Sequence, residues 1–333
     1  MSELVDTYGR VHRDLRVSLT DRCNLRCTYC MPADFADFLP GPEVLSTDEL
    51  ITVLRVATDL GITGVRLTGG EPLLRADVVD VVRRIVELPN APEISVTTNA
   101  LKLVQLAQPL RDAGLTRVNV SLDTLDAERF KALTFRDRHA DVLAGIAAAQ
   151  KAGLSPVKIN AVLMRGVNDD EAPALLRRAL DEGWRLRFIE QMPLDPSGIW
   201  NRAQMITADE IFAALSEHWT LTPKPARGSA PAEEFFVDGG PETVGIIASV
   251  SRPFCGACDR VRLTSDGQLR NCLFAREELD LRAVLRDPAR STDEIEAEIE
   301  RRLHAVIADK LPGHGINDIG FIQPARPMSA IGG

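Results

Sequence analysis

Three cysteines stand close together in DRCNLRCTYCMP, where Cys23, Cys27 and Cys30 form a C-x3-C-x2-C run. Thiolates are the usual ligands of iron–sulfur clusters, and a four-iron cluster held by three of them keeps one iron open for chemistry rather than for electron transfer alone. A zinc knuckle or a set of buried thiols is the other reading. Zinc sites usually close with four ligands and pair a C-x2-C with a distant second pair, so a compact three-cysteine run makes a poorer zinc motif. A second set, Cys255, Cys258 and Cys272 in SRPFCGACDRVRLTSDGQLRNC, again supplies three thiolates and leaves a ligand position vacant. The two sets use all six cysteines, so none remains for a disulfide. With no apolar leader at the N-terminus, a reducing cytoplasm is the expected location.

The residues that could work beside such clusters must be placed by the rest of the chain. A length of 333 residues suits one large α/β domain with a smaller second one. No stretch approaches the apolar length of a membrane span. A net charge of -9 with 5% aromatic residues argues against a nucleic-acid binder. A polyanionic ligand would therefore need arginine and lysine gathered locally.

Through about residue 200, short β-rich runs alternate with longer amphipathic segments, the pattern of a parallel sheet with crossover helices. The strand-like runs are RDLRVSLT, GVRLTGG, EISVTTN, RVNVSLD, VKINAVLM and RLRFIEQM, six units in all. Helical patterns such as STDELITVLRVATDLG and ADVVDVVRRIVEL lie between them. Thr20, Thr68, Thr97, Ser121 and Glu190 fall at or near C-terminal strand ends, the side on which parallel barrels build active sites. Taken singly each reads as a turn or cap, and their recurrence on one side is what argues for function. The Pro- and Gly-containing stretches MPLDPSG and TPKPARGSAPAEE predict a division of the chain into residues 1–204 and 205–333. Beyond it, TADEIFAALSEHW and TDEIEAEIERRLHAVIA read as helices, with short strands around TVGIIASV and VRLTSDG.

The first cysteine run, with Tyr29 inside it, and GGEPLLR at Gly69 to Arg75 together resemble the radical S-adenosylmethionine superfamily. Leu25 departs from the aromatic Phe common at its position, which needs only an apolar side chain. The second cysteine set, Arg260-Val261-Arg262 and the tail HGINDIGFIQPARPMSAIGG resemble the branch of that superfamily that cyclises GTP in molybdenum cofactor biosynthesis. This resemblance runs from VHRDLRVSLTDRCN through RFIEQMP to Gly332-Gly333. It implies an α/β fold, an incomplete six-unit (βα) barrel with a smaller C-terminal α+β domain. It also implies two 4Fe-4S clusters and S-adenosylmethionine as cofactors, the open iron of the first cluster holding the amino and carboxylate groups of S-adenosylmethionine. The S-adenosylmethionine pocket would use Tyr29, Gly70, Ser121 and Met192. The triphosphate would meet Arg16, Arg66, Lys158, Arg260 and Arg262, with Thr97 near the nucleoside and Arg187 as a further candidate. Arg260, Arg262, Gly332 and Gly333 would join the first cysteines in catalysis, the two glycines by entering the barrel where a side chain could not.

The reaction so implied begins when a 5'-deoxyadenosyl radical takes the ribose C3' hydrogen of GTP. The C3' radical attacks guanine C8, the second cluster holds the base, and reduction with protonation gives 3',8-cyclo-7,8-dihydro-GTP. The resemblance further implies an electron donor protein, hand-over of product to the cyclic pyranopterin monophosphate synthase, and a homodimer. Two other readings remain at this point. A radical enzyme that modifies peptides would usually carry more C-terminal cysteines. A non-catalytic iron–sulfur or zinc protein would give no reason for GGEP or for basic residues on barrel strands.

Overall fold

The computed structural model describes residues 3–195, 198, 200–225 and 227–332. Six parallel strands come first: β1 (Asp14–Ser18), β2 (Gly64–Thr68), β3 (Glu93–Thr98), β4 (Arg117–Ser121), β5 (Lys158–Val162) and β6 (Arg185–Ile189). They are the six runs expected from the sequence. Parallel neighbours cannot be joined by a tight turn, so each is followed by a helical crossover. The crossovers are α1 (Thr47–Asp59), α2 (Val78–Val86), α3 (Leu103–Asp112), α4 (Ala127–Thr134) with α5 (His139–Lys151), α6 (Ala172–Glu182) and α7 (Ala208–Ser216). Helix starts are encoded locally. Ser46 and Glu49 close a reciprocal capping box at α1, and Thr207 and Glu210 repeat it at α7.

The later strands enlarge the same sheet at both edges. β7 (Leu221–Pro223), β8 (Glu233–Val237) and β9 (Thr243–Ile247) add to the β6 edge, where β9 is parallel to β6. β10 (Arg260–Leu263), β11 (Gln268–Arg270) and β12 (Leu279–Asp280) add to the β1 edge, where β10 is parallel to β1. The order is β12-β11-β10-β1-β2-β3-β4-β5-β6-β9-β8-β7, so a six-unit core carries α+β material on both flanks. The chain continues through α8 (Leu281–Leu285), α9 (Thr292–Ala308) and α10 (Met328–Ile331).

Alternation along each strand decides where the core lies. Leu15, Val17, Leu67, Val96, Val118, Val120, Ile159, Phe188, Val261 and Leu263 share one face and are buried under the helices. Burying each such side chain contributes roughly 1.5–3 kcal/mol, so this outer layer holds the fold together. The inner face is free to be polar. Among the described residues no helix is long and apolar enough to cross a membrane.

Candidate active site

On the inner strand face, the residues alternating with that core are Arg16, Arg66, Thr68, Thr97, Ser121, Asn160, Arg187 and Arg262, and all of them line one chamber. Arg16 pairs in register with Arg262 on one side and Arg66 on the other, placing three guanidinium-bearing residues side by side across β10, β1 and β2. Lys158 shares this face but sits at the start of β5, outside the chamber wall.

These cations have few counter-charges. Burial, followed by repulsion from Arg66 and Arg260, lowers Arg16 to about 9. Burial likewise lowers Arg66 and Arg187 to about 10 and Arg262 well below its ordinary value. Asp14 lies 3.7 Å from Arg16, and Arg187 donates to Asn119 Oδ1 at 2.8 Å. Among the described residues the buried Nε atoms of Arg16, Arg66, Arg187 and Arg260 find no hydrogen-bond partner, nor does Asn160 Oδ1. Buried cations with so little counter-charge cost free energy, and a polyanion entering the chamber would relieve that cost.

Lys158 turns this into a pH test. Burial, then the charges of Arg187 and Arg117, lowers it from 10.5 to about 8. Between these values the unfolded chain binds more protons than the folded one, so stability rises with pH through the window. Below about 8 the folded protein carries the full penalty of the buried charge. Lys158→Met removes it, so the melting temperature of the variant relative to the parent should be most favourable near pH 7 and fall steadily toward pH 10. A difference independent of pH would contradict this electrostatic account.

The loop after β1 brings in the first cysteine set. The Cys27 carbonyl accepts from the amides of Cys30 at 2.9 Å and Met31 at 3.0 Å, closing a tight turn. The Gly-Gly segment lies against the residues just before Cys23: Gly70 N donates to Thr20 O, and Glu71 N to Arg22 O, both at 2.7 Å. A Cβ on Gly70 would meet the carbonyl oxygen of Asp21 at 2.5 Å, so only glycine permits this approach. Tyr29 Oη donates to Asp123 Oδ2 at 2.7 Å, while Asp123 Oδ1 accepts from Val162 N at 2.8 Å. The cysteine loop is thereby tied to β4 and β5. Burial raises Asp123 to about 6.

Burial pushes Cys23 up to about 11, Cys30 up to about 12 and Cys27 well above its ordinary value, the charges of neighbouring cysteines adding to burial for the last two. Three thiolates here are therefore costly unless a metal supplies positive charge, which deprotonates coordinating thiols outright. Among the described residues no three of His, Cys, Asp and Glu converge as ligands of one metal ion. A four-iron cluster instead asks each thiolate to reach an iron of its own, and this donor set fits that requirement.

The second set lines the same chamber, and all six thiols are free and half-buried. Cys258 N donates to Cys255 O at 3.0 Å in a single 3-10 turn. Arg260 donates to Cys258 Sγ at 3.2 Å and stacks over the Phe254 ring at 4.6 Å. Burial raises Cys258, but the charges of Arg260 and Lys310 outweigh it and the thiol falls below its ordinary value. Three thiols beside these cations fit a second cluster.

The tail reaches the first set and β10. The Ser329 amide donates to the Cys30 thiol, and Arg262 donates to the carbonyl of Gly332. Gly332 has φ of 81°, and a Cβ there would collide with Thr68 Oγ1 and meet Ser18 Cβ at 3.2 Å. Gly333 lies outside the described residues. Met192 reaches the chamber wall while packing against the small buried cluster of Leu194, Met205, Val250, Phe274 and Ile316.

Some strand-end residues serve the scaffold instead. Glu190 accepts from the amides of Ala208 at 2.7 Å and of Val250 and Ser251 at 2.8 Å, which fixes the start of α7 and the turn after β9. Thr20 accepts from Arg22 N within its own turn. Sequence reasoning passed over Glu71, Asn99, Asp123, Asn160 and Lys310, which all line the chamber. Asn99 and Asp123 end the runs EISVTTN and RVNVSLD, so the strand-end criterion could have found them. Glu71 is a buried anchor, accepting from Thr98 Oγ1 and Asn99 N at 2.7 Å, and burial raises it to about 7.

A partial barrel whose first cysteine loop packs against a Gly-Gly strand end defines a radical S-adenosylmethionine protein. The family model for that superfamily matches residues 17–179, and the one for Molybdenum Cofactor Synthesis C matches residues 184–316. A protein of Streptomyces coelicolor named GTP 3',8-cyclase is 56% identical over 99% of this chain and 96% of its own. One of the same name from Mycobacterium sp. strain KMS is 59% identical over 99% of this chain and 93% of its own. The chain belongs to the GTP 3',8-cyclase family. Among solved structures, Streptococcus suis SuiB bound to S-adenosylmethionine shares the fold with a TM-score of 0.63 over 90% of this chain and 69% of that one, at 14% identity.

Proposed function

We propose that the protein converts GTP to 3',8-cyclo-7,8-dihydro-GTP, the first step of molybdenum cofactor biosynthesis. The observation that carries this reading is one chamber lined by both cysteine sets and by a cationic strand face whose buried Nε atoms lack hydrogen-bond partners among the described residues. Cys23, Cys27 and Cys30 hold the first 4Fe-4S cluster, and Cys255, Cys258 and Cys272 hold the second. When bound there, the first cluster and S-adenosylmethionine would supply the chemistry of hydrogen-atom abstraction.

The chain's own residues bind, orient and exclude water. Tyr29, Gly70, Ser121 and Met192 shape the S-adenosylmethionine side. Arg16, Arg66, Arg260 and Arg262 receive the triphosphate, with Arg187 a further candidate, Lys158 adding positive charge from the start of β5, and Thr97 beside the nucleoside. Holding ribose C3' toward the first set and guanine toward the second fixes which hydrogen is removed and which carbon is met, the gain that orientation brings to a reactive intermediate. On this reading residues 1–204 serve the cofactor and residues 205–333 hold the base. An electron donor protein, hand-over to the cyclic pyranopterin monophosphate synthase and a homodimer complete the proposal. GTP carrying deuterium at C3' tests the orientation: the label should appear in 5'-deoxyadenosine, and unlabelled 5'-deoxyadenosine accompanying product would contradict it.

The tail makes a further prediction. An alanine at Gly332 would have to adopt a left-handed conformation costing about 1–2 kcal/mol and also displace Thr68. The tail can leave its seat rather than strain the barrel, so Gly332→Ala should leave iron content and melting temperature near those of the parent while lowering product formation about tenfold or more. Parent-like turnover would show that the tail has no part in the site.

A further inference from the structure

Two residues past α9, Lys310 is 5% exposed and stands beside the second cysteine set. Its Nζ donates to Arg260 O and to Asn271 O, both at 2.6 Å. Arg260 lies two residues after Cys258, and Asn271 immediately precedes Cys272. One ammonium thus joins two limbs of the set that lie on opposite sides of the β10–β11 hairpin. The third limb is held from the N-terminal segment. Arg10 donates to Cys255 O at 2.7 Å and to Leu311 O at 2.9 Å, and its Nε is anchored on Asp6 at 2.5 Å. Lys310 and Leu311 therefore form a strap fastened to all three limbs.

A buried ammonium is costly unless it is hydrogen-bonded and paired with negative charge. Carbonyl oxygens satisfy two of its three donors. The negative charges that favour it are those of Cys258 and Cys272. Its electrostatic partner is thus complete only when the set is present as thiolates, which is the metal-bound form.

We propose that Lys310 is the positioning and charge-compensating residue of the second cluster, holding the Cys258 and Cys272 limbs in place and raising the cluster's reduction potential. The proposal rests on the two-cluster reading above. A positive charge beside a cluster favours the reduced, more negative state, so its removal lowers the potential, and charge and hydrogen bonding are among the factors that set such potentials.

The test uses the full-length chain with Cys23, Cys27 and Cys30 all changed to Ser, reconstituted anaerobically with iron and sulfide so that the second cluster alone is read. Lys310→Gln keeps donors for the two carbonyls without the charge, and Lys310→Met loses both. The parent should bind about four irons per chain. The Gln variant should keep its iron but show a more negative midpoint potential in a redox titration followed by electron paramagnetic resonance. The Met variant should lose iron severalfold at limiting iron, and if it does not fold the Gln variant decides the matter. Lys310→Arg should restore the potential toward that of the parent. Equal iron and equal potential in the parent and the Gln variant would overturn the proposal alone. Absence of iron from the parent background would overturn the two-cluster reading and the proposal with it.

Discussion

Cys27→Ser is expected to abolish 5'-deoxyadenosine formation, lowering it by about a thousandfold or more, as loss of one member of a concerted site does. Cys27 is the thiol that the Cys23 and Cys30 charges both oppose, so its thiolate depends most on metal charge nearby. A serine hydroxyl is a hard, protonated donor and cannot replace it on iron. The fold should persist, because the loop is also fastened by the Tyr29–Asp123 hydrogen bond and by the two Gly70–Glu71 backbone bonds. Iron content, circular dichroism and 5'-deoxyadenosine measured on one preparation check this. Parent-like 5'-deoxyadenosine formation would remove Cys23, Cys27 and Cys30 from the chemistry.

The second large effect concerns Cys255, Cys258 and Cys272. Changing Cys258 to Ser should leave the first cluster in place and some uncoupled 5'-deoxyadenosine formation, while the cyclised product falls to background. Iron should drop from about eight per chain toward about four. The physical reason is that the two sets have different neighbours: Cys258 accepts from Arg260, one of the residues proposed to receive the nucleotide, whereas Cys30 lies beside Ser329 of the tail. Retained cyclisation after loss of this iron would show that the second set acts only in the scaffold.

Much of this was legible in the chain. Alternation in RDLRVSLT and GVRLTGG separates Leu15 and Val17 from Arg16, and Val65 and Leu67 from Arg66, so the inward face of β1 and β2 could be read directly. Cysteine spacing is equally local. What was not legible depends on long-range pairing. The register of Arg262 against Arg16 joins residues on opposite ends of the sequence, and the attachment of β9 and β10 to opposite edges of one sheet leaves no local signal. Glu190 illustrates the converse: a carboxylate at a strand end has the same sequence appearance whether it faces substrate or closes a turn. Its three amide partners come from two later segments. Lys310 carries no motif at all, and the role proposed for it rests on two carbonyls that only the folded hairpin brings together.

The measurement that bears most directly on the whole account is product analysis after anaerobic incubation of the reconstituted chain with S-adenosylmethionine, a one-electron reductant and each nucleoside triphosphate in turn. GTP should be consumed to 3',8-cyclo-7,8-dihydro-GTP with 5'-deoxyadenosine formed alongside, and ATP, CTP and UTP should give no cyclised product. A fully loaded protein, with about eight irons per chain, that leaves GTP unchanged would contradict the account.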